Sequence, residues 1–119
     1  MAIAKAEKYD VGIVATFNCG HISRMADYTL MAAARDLMGY CAVNHVPGIA
    51  PFGGRERVFN QSPIGWAIPA GKEPPFMLDM STSVSAAGKI SVAIARGKKM
   101  PPGYIIDRDG NPPWLLGAE

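Results

Sequence analysis

His21 is the strongest candidate for acid–base chemistry in this chain of 119 residues, which contains two histidines. It directly follows the turn residues Asn18, Cys19 and Gly20, which an apolar run over residues 11–16 precedes. Asn and Gly favour chain reversal, so the pattern predicts a strand, a turn and a long helix with His21 at or near its first residue. A helix start carries unpaired N–H groups and a partial positive charge, which suits an anionic ligand. We therefore hypothesise a catalytic role for His21, against the alternative that it serves a structural or surface role, as most histidines do.

A zinc site is a second possibility that the residue types allow. The candidate ligands are Cys19, His21, Cys41 and His45. The two strands predicted beside them would end near each other, which permits tetrahedral coordination. The spacings C-x-H and C-x3-H are uncommon for zinc, and small buried cysteines beside a core strand explain the same residues. We therefore predict no metal site and keep zinc as the alternative.

A carboxylate and three hydroxyls end another apolar segment, in the order Asp79, Met80, Ser81, Thr82 and Ser83. These groups either bind a ribose or a phosphate, or cap the helix that follows, and on the residues alone capping is the better interpretation. The usual phosphate motifs are missing. Residues 65–72 have one residue too many between their glycines for a P-loop, and no G-x-G-x-x-G follows a predicted strand.

Hydrophobic periodicity predicts an α/β arrangement around these candidates. Helices are predicted over residues 1–8, 21–38 and 86–96, and strands over residues 9–16, 40–43, 65–69, 76–80 and 104–107. The second helix should expose one stripe, formed by Arg24, Asp27, Met31 and Arg35, and should end at Gly39. The nearly all-apolar first strand is typical of a strand covered on both faces, and the order strand, helix, strand predicts a βαβ-like unit. A glycine- and proline-rich loop over residues 44–56 should be ordered, and a turn is expected at Asp109-Gly110.

Composition excludes several classes of function. The chain has 18% charged residues and a formal charge of +2 without a basic cluster, which argues against a nucleic-acid partner. No apolar run approaches the roughly 20 residues of a membrane span, so no membrane partner is expected. Two cysteines form no disulfide framework, and the first residues lack a signal-peptide core, which together predict a cytoplasmic location. The length predicts that residues 1–119 form a single domain.

Five stretches of the chain form a longer, ordered pattern. They are GHISRMADY, NHVPGIAPFGGRERVF, SPIGWAIPAG, FMLDMSTS and AAGKISVAIARGKKMPPGYIIDRDGNP. In this order and spacing they resemble the type-2 malate/L-lactate dehydrogenase family, whose members include ureidoglycolate, L-sulfolactate and diketogulonate dehydrogenases. The resemblance extends from about Val11 to Pro112.

The resemblance implies an NAD- or NADP-dependent oxidoreductase that interconverts a 2-hydroxy acid and a 2-oxo acid, and that forms a homodimer. It implies a two-layer α/β domain with a mixed sheet, which binds the nicotinamide cofactor without a Rossmann fold. The family's acid–base histidine falls on His21. Cofactor contacts fall on Asp79, Met80 and Ser81, and a cofactor-contacting serine of the family falls on His45.

This sequence also departs from the family pattern. The motif H-F-G-x-x-G-x-Y is His21-Ile22-Ser23-Arg24-Met25-Ala26-Asp27-Tyr28 here, without its two glycines. The family's N-terminal helical domain, with its Ser-His-Gly and arginine motifs, has no counterpart, and the sequence diverges after Pro112. The chain thus resembles the central fragment of a cofactor-binding domain, and we expect it to be inactive or barely active alone. The alternative is a non-catalytic binding or assembly domain that retains the family fold.

Overall fold

The computed structural model describes residues 1–111 of the protein. Its elements are α1 (Ala2–Tyr9), α2 (Met25–Ala33), β1 (Gly39–Ala42), β2 (Pro47–Ile49), β3 (Phe59–Asn60), β4 (Ile64–Ala70), β5 (Glu73–Met80) and α3 (Ala87–Ala95). They fall into two compact units. Unit 1 comprises residues 1–43 and 63–80, and unit 2 comprises residues 44–62 and those from 81 onward. The assignment of the whole chain to a single domain stays a prediction.

Unit 1 has two layers, a sheet and a helix packed on it. The sheet is antiparallel with the strand order β1-β4-β5, and α2 contacts all three strands. The buried apolar residues of the described chain all belong to this unit: Met25, Ala26, Ala32, Ala33 and Ala67. Unit 1 therefore confirms the α/β class, and its core is built mainly from small side chains.

α2 is shorter than the helix predicted over residues 21–38. Ser23 has a left-handed φ of 63° and Arg24 is extended, so helical geometry begins only at Met25. At the other end Asp36 has a φ of 55°, and the helix stops before Gly39 rather than at it. The predicted exposed stripe is confirmed, because Arg24, Asp27, Met31 and Arg35 are all exposed while Met25, Ala26 and Thr29 are buried.

Two glycines allow α2 to lie very close to the sheet. A Cβ at Gly65 of β4 would overlap the Cβ of Met25, and a Cβ at Gly39 of β1 would lie 2.5 Å from the carbonyl oxygen of Thr29. Neither glycine needs a left-handed φ, so close approach is the reason that a side chain does not fit there. Gly39 is thus a packing residue and not the helix stop that the sequence suggested.

The strand predicted over residues 9–16 is absent from the structure, and this prediction was wrong. Asp10 caps α1 with a left-handed φ of 66°, its N–H donates to Ala6, and the chain turns back so that Gly12 lies against the backbone of Ala2. Val11 and Ile13 are 67% and 78% exposed, so this segment is not covered on both faces. The βαβ-like unit is therefore wrong too. All strand pairs in residues 1–111 are antiparallel, which differs from the expected mixed sheet.

Unit 2 contains the short antiparallel pair β2–β3 and the helix α3. The ordered loop expected over residues 44–56 contains β2. The strand expected over residues 104–107 is wrong, because Asp107 instead begins a turn in which its Oδ1 accepts the N–H groups of Asp109 and Asn111, each at 2.9 Å. The expected Asp109-Gly110 turn is confirmed. The divergence after Pro112 lies outside the described residues.

The remaining predictions of secondary structure are confirmed. α1 and α3 match the helices predicted over residues 1–8 and 86–96, and β1 and β4 match strands predicted over residues 40–43 and 65–69. β5 begins at Glu73 rather than at residue 76. No helix in the described part of the chain is long and apolar enough to span a membrane.

Candidate functional site

His21 lies in an exposed turn that precedes α2. The N–H of Ser23 donates to its Nδ1 at 3.1 Å, so in the neutral ring Nδ1 is the acceptor and the proton is on Nε2. The hydroxyl of Tyr28 in α2 donates to the carbonyl of Ile22 at 2.8 Å, which ties the turn to the helix. His21 was expected at or near the helix start; it lies near the start of α2 but outside the helix, which begins at Met25.

Asp79 reaches the start of α2 from β5. Its Oδ2 accepts the backbone N–H of Ala26 at 2.9 Å, and Ala26 is the second residue of the helix. This N–H has no partner within the helix, so the carboxylate satisfies it and also suits the positive end of the helix dipole. Capping of the following helix was the wrong expectation, because α3 begins at Ala87 with no side-chain hydrogen bond from its N-cap residue Ala86.

The strand register explains how Asp79 reaches α2. Cys41 of β1, Gly65 of β4 and Asp79 of β5 lie opposite one another in one row across the sheet. Met25 sits on Gly65, which has no side chain to hold the helix away. The first turn of α2 therefore lies close enough to the sheet for the Asp79 carboxylate to accept the N–H of Ala26.

Two neighbouring groups respond to Asp79 electrostatically. Burial raises the pKa of the Cys41 thiol, and the charge of Asp79 raises it further. The pKa of Arg24 is raised by its hydrogen bond to Asp27, then by the charge of Asp27, with a smaller contribution from Asp79. The Arg24–Asp27 ion pair is 2.5 Å long, and its side chains are 75% and 48% exposed, so water screens it strongly.

Unit 2 contains a polar network around the start of α3. The amide of Gln61 donates to the carbonyl of Ser85 at 3.2 Å and accepts the N–H of Ala87 at 3.4 Å. Further hydrogen bonds connect neighbouring amides and hydroxyls of the unit: Asn44 with Asn60, Asn60 with Ser62, Ser62 with Thr82, and Ser81 with Ser83. Ser81 is thus held by Ser83, with 3.0 Å between the two hydroxyl oxygens.

His45 is exposed at the edge of a depression of about 280 Å³ in unit 2. Its Nδ1 lies 3.3 Å from the carbonyl oxygen of Val46. Arg57 and Gln61 line the same depression. Three of the predicted site residues belong to unit 1: His21, Asp79 and Met80. In this unit α2 is hydrogen-bonded both to the turn that contains His21 and to the Asp79 carboxylate. The other two, His45 and Ser81, belong to unit 2.

Sequence reasoning missed three contributors to this local geometry. From the sequence, Tyr28 was considered only as part of a motif and Gly65 only as the start of a strand and of a failed phosphate loop, and no role was assigned to Gln61. The fixed placement of Tyr28 after His21 was a usable signal for a hydrogen-bonded turn. Nothing local marks Gly65 or Gln61, because their partners lie far along the chain.

No group of three or more His, Cys, Asp or Glu residues within residues 1–111 is arranged to hold a metal ion. The zinc alternative therefore finds no ligand set in the part of the chain that the structure describes.

Sequence comparison gives an extensive match. The sequence profile of a family described as malate/L-lactate dehydrogenase matches residues 1–113. The chain is 42% identical over 111 residues to malate dehydrogenase from Pyrococcus horikoshii, covering 93% of this chain and 31% of that protein. It is 39% identical over 112 residues to L-sulfolactate dehydrogenase from Methanocaldococcus jannaschii, covering 94% and 32%. Delta(1)-pyrroline-2-carboxylate reductase 1 from Burkholderia ambifaria is 34% identical over 110 residues, covering 92% and 32%.

Solved structures agree with the sequence match. Malate dehydrogenase from Entamoeba histolytica superposes with a TM-score of 0.80 at 30% identity, over 93% of this chain and 31% of that one. Sulfolactate dehydrogenase from M. jannaschii gives a TM-score of 0.73 at 39% identity, over 95% and 33%. The chain thus spans about a third of the length of the relatives that it matches.

Proposed function

Because the chain belongs to the malate/L-lactate dehydrogenase family, we propose that it contributes to an NAD- or NADP-dependent oxidoreductase that interconverts a 2-hydroxy acid and a 2-oxo acid. The match over residues 1–113 carries the proposal, and the relatives are named as dehydrogenases and reductases. Their names span malate, sulfolactate and a cyclic imine carboxylate, which share a carboxylate beside the reacting carbon. That shared group defines the substrate class proposed for this chain.

His21 is proposed as the acid–base residue. A bound nicotinamide would supply or accept the hydride at the substrate carbon. The ring is exposed, and the Ser23 N–H occupies Nδ1, which leaves Nε2 for the substrate. For proton transfer the Ser23 N–H must release Nδ1, because the ring then carries a proton there. In reduction the imidazolium would give its Nε2 proton to the substrate oxygen and keep the proton on Nδ1, and in oxidation the ring protonated on Nδ1 would take the hydroxyl proton on Nε2.

Cofactor contacts are proposed for Asp79, Met80, Ser81 and His45, the positions that match the family's contact residues. Support comes from exposure. Asp79 and Met80 are exposed at the end of β5, His45 is exposed on the rim of a depression, and Ser81 is partly exposed. The proposal includes a cofactor fold distinct from the Rossmann fold, a homodimer, a cytoplasmic location and residues 1–119 as one part of a longer cofactor-binding domain.

A chimera tests this proposal directly. Residues 1–113 of this chain replace the matched third of M. jannaschii L-sulfolactate dehydrogenase, and NADH and NADPH oxidation is followed with a panel of 2-oxo acids. We expect turnover by the chimera, a loss of at least about 100-fold in kcat for His21→Gln, and little or no turnover by the 119-residue chain alone. Cys19→Ser, two residues before His21, is the matched control and should retain activity. A folded chimera without turnover would contradict the proposal.

A non-catalytic binding or assembly domain is the second candidate. Exposed apolar side chains before α2 favour it, since Ile13 is 78% and Phe17 is 85% exposed. Titration of the folded chimera with NADH and NADPH separates the two candidates. Absence of nicotinamide binding would favour the assembly role, whereas saturable binding that weakens in Ser81→Ala would favour the enzyme.

A further inference from the structure

We propose that Asp79 is a positioning residue, whose carboxylate fixes the first turn of α2 and, through that turn, the orientation of the His21 ring. The contact is specific, since Oδ2 of Asp79 accepts the N–H of Ala26 at 2.9 Å although the two residues lie 53 positions apart in the sequence. A side-chain acceptor at a helix start stabilises the helix, because it satisfies an N–H that has no partner within the helix.

Gly65 makes this contact possible. It lies opposite Asp79 in the strand register, and Met25 rests directly on it. Met25 is 1% exposed and Ala26 is 6% exposed, so the first two residues of α2 are buried while Asp79 is exposed. The helix start is therefore fixed by the packing of Met25 on Gly65 and by the hydrogen bond from Ala26 to Asp79.

Two hydrogen bonds transmit this position to His21. The Tyr28 hydroxyl, one turn into α2, donates to the carbonyl of Ile22 at 2.8 Å. The Ser23 N–H then donates to Nδ1 of His21 at 3.1 Å, which selects the tautomer that has its proton on Nε2. If the first turn of α2 shifts, we expect the Tyr28 contact to loosen and the tautomer selection to weaken.

Asp27 is the matched control because it is a second carboxylate in the same helical turn. It pairs with Arg24 at 2.5 Å, and both side chains are largely exposed. An exposed pair of this kind contributes little to stability, and the side-chain hydrogen bonds that Asp27 accepts come from Arg24. Asp27→Asn removes this charge, and it therefore tests whether the loss of any negative charge near α2 is enough to change the tautomer of His21.

The test measures the tautomer of His21 in the 119-residue chain from the ¹⁵N chemical shifts of its ring nitrogens, at a pH at which the ring is neutral. His45→Gln assigns the signals. We expect Asp79→Ala to give averaged shifts typical of a tautomer mixture, and Asp79→Asn, whose amide oxygen still accepts a hydrogen bond, to keep the wild-type shifts. Asp27→Asn should also keep them. The inference rests on the proposed function only in naming His21 as the reacting group, and because this measurement involves no turnover, its failure is distinguishable from failure of the chimera.

Wild-type His21 shifts in folded Asp79→Ala would overturn the inference, as would equal perturbation by Asp79→Asn. If Asp79→Ala does not fold, hydrogen exchange at the Ala26 amide tests the inference instead. This amide should be protected in the wild type and in Asp79→Asn, and rapid exchange in the wild type would overturn the inference without any variant.

Discussion

The Asp79 carboxylate acts on a second group besides the Ala26 amide. In the row across the sheet, Gly65 lies between Asp79 and Cys41. Burial raises the pKa of the Cys41 thiol, and the charge of Asp79 raises this pKa further. A raised pKa means that the folded chain holds the thiol proton more tightly than the unfolded chain does. The free energy of unfolding must therefore fall as the pH rises from the unfolded pKa through the folded pKa of Cys41.

We expect this decline in the wild-type chain to begin near pH 9, the ordinary pKa of the thiol, and to be shallower in Cys41→Ser. Urea unfolding between pH 7 and pH 10.5 under reducing conditions measures it. Cys19→Ser, which removes an exposed thiol, is the control and should follow the wild type. All other ionisable side chains are the same in the three proteins, so only the difference between the slopes is informative. Equal slopes for wild type and Cys41→Ser would contradict the expectation.

At the scale of elements, two strand glycines without a Cβ set the distance between α2 and the sheet. Gly39 and Gly65 lie where a methyl group would meet the helix backbone or the Cβ of Met25. Close packing of this kind tolerates extra volume poorly, because neighbouring backbone must shift to accept it.

Gly65→Ala should therefore lower the free energy of unfolding by about 1–3 kcal/mol, as overpacked core sites do. Gly88→Ala is the control. Gly88 lies within α3, and a Cβ added there would meet no atom within 4 Å, so alanine should raise helix stability by about 0.5–1 kcal/mol. Urea denaturation followed by circular dichroism measures both changes. A Gly65→Ala protein as stable as the wild type would show that α2 does not need this close approach.

The sequence predicted the elements whose causes are local. The exposed stripe of α2 and the turn at Asp109-Gly110 follow from spacing and residue type within a few positions. The strand prediction for residues 9–16 was wrong because β-branched composition indicates a strand only where a partner strand exists. No strand pairs with these residues among residues 1–111. For the candidate site, the prominence of His21 was local, whereas the Asp79–Ala26 hydrogen bond depends on strand register and could not be predicted from spacing.

At the scale of the whole molecule, apolar surface outweighs apolar core in the described residues. The buried apolar residues are one methionine and four alanines, α1 buries no residue, and large apolar side chains before α2 face solvent. Alanine burial contributes little, since hydrophobic stabilisation is roughly 25 cal/mol per Å² of apolar area. Exposed clusters of large apolar side chains commonly mark surfaces that associate.

We therefore expect the purified chain to bind the dye ANS and to self-associate at micromolar concentration. Ile13→Lys should reduce both, because it replaces a side chain that is 78% exposed, and should change the free energy of unfolding by no more than about 0.5 kcal/mol. Ala4→Lys on α1 adds the same charge at an exposed position without removing a large apolar group. Dye fluorescence and light scattering give the comparison, and identical behaviour of the two variants would assign the effect to charge alone.

The hydrogen bond from Ala26 to Asp79 also has a consequence for the order of folding. The β4–β5 hairpin closes over a tight turn at Gly71, so its contacts are close in sequence, whereas the Asp79–Ala26 contact closes a loop between residues 53 positions apart. Contacts of high sequence separation carry the larger loop-closure entropy and tend to form later. The hairpin should therefore form before the start of α2 is fixed, and we expect the His21 turn to reach its final geometry during synthesis only after β5 has left the ribosome.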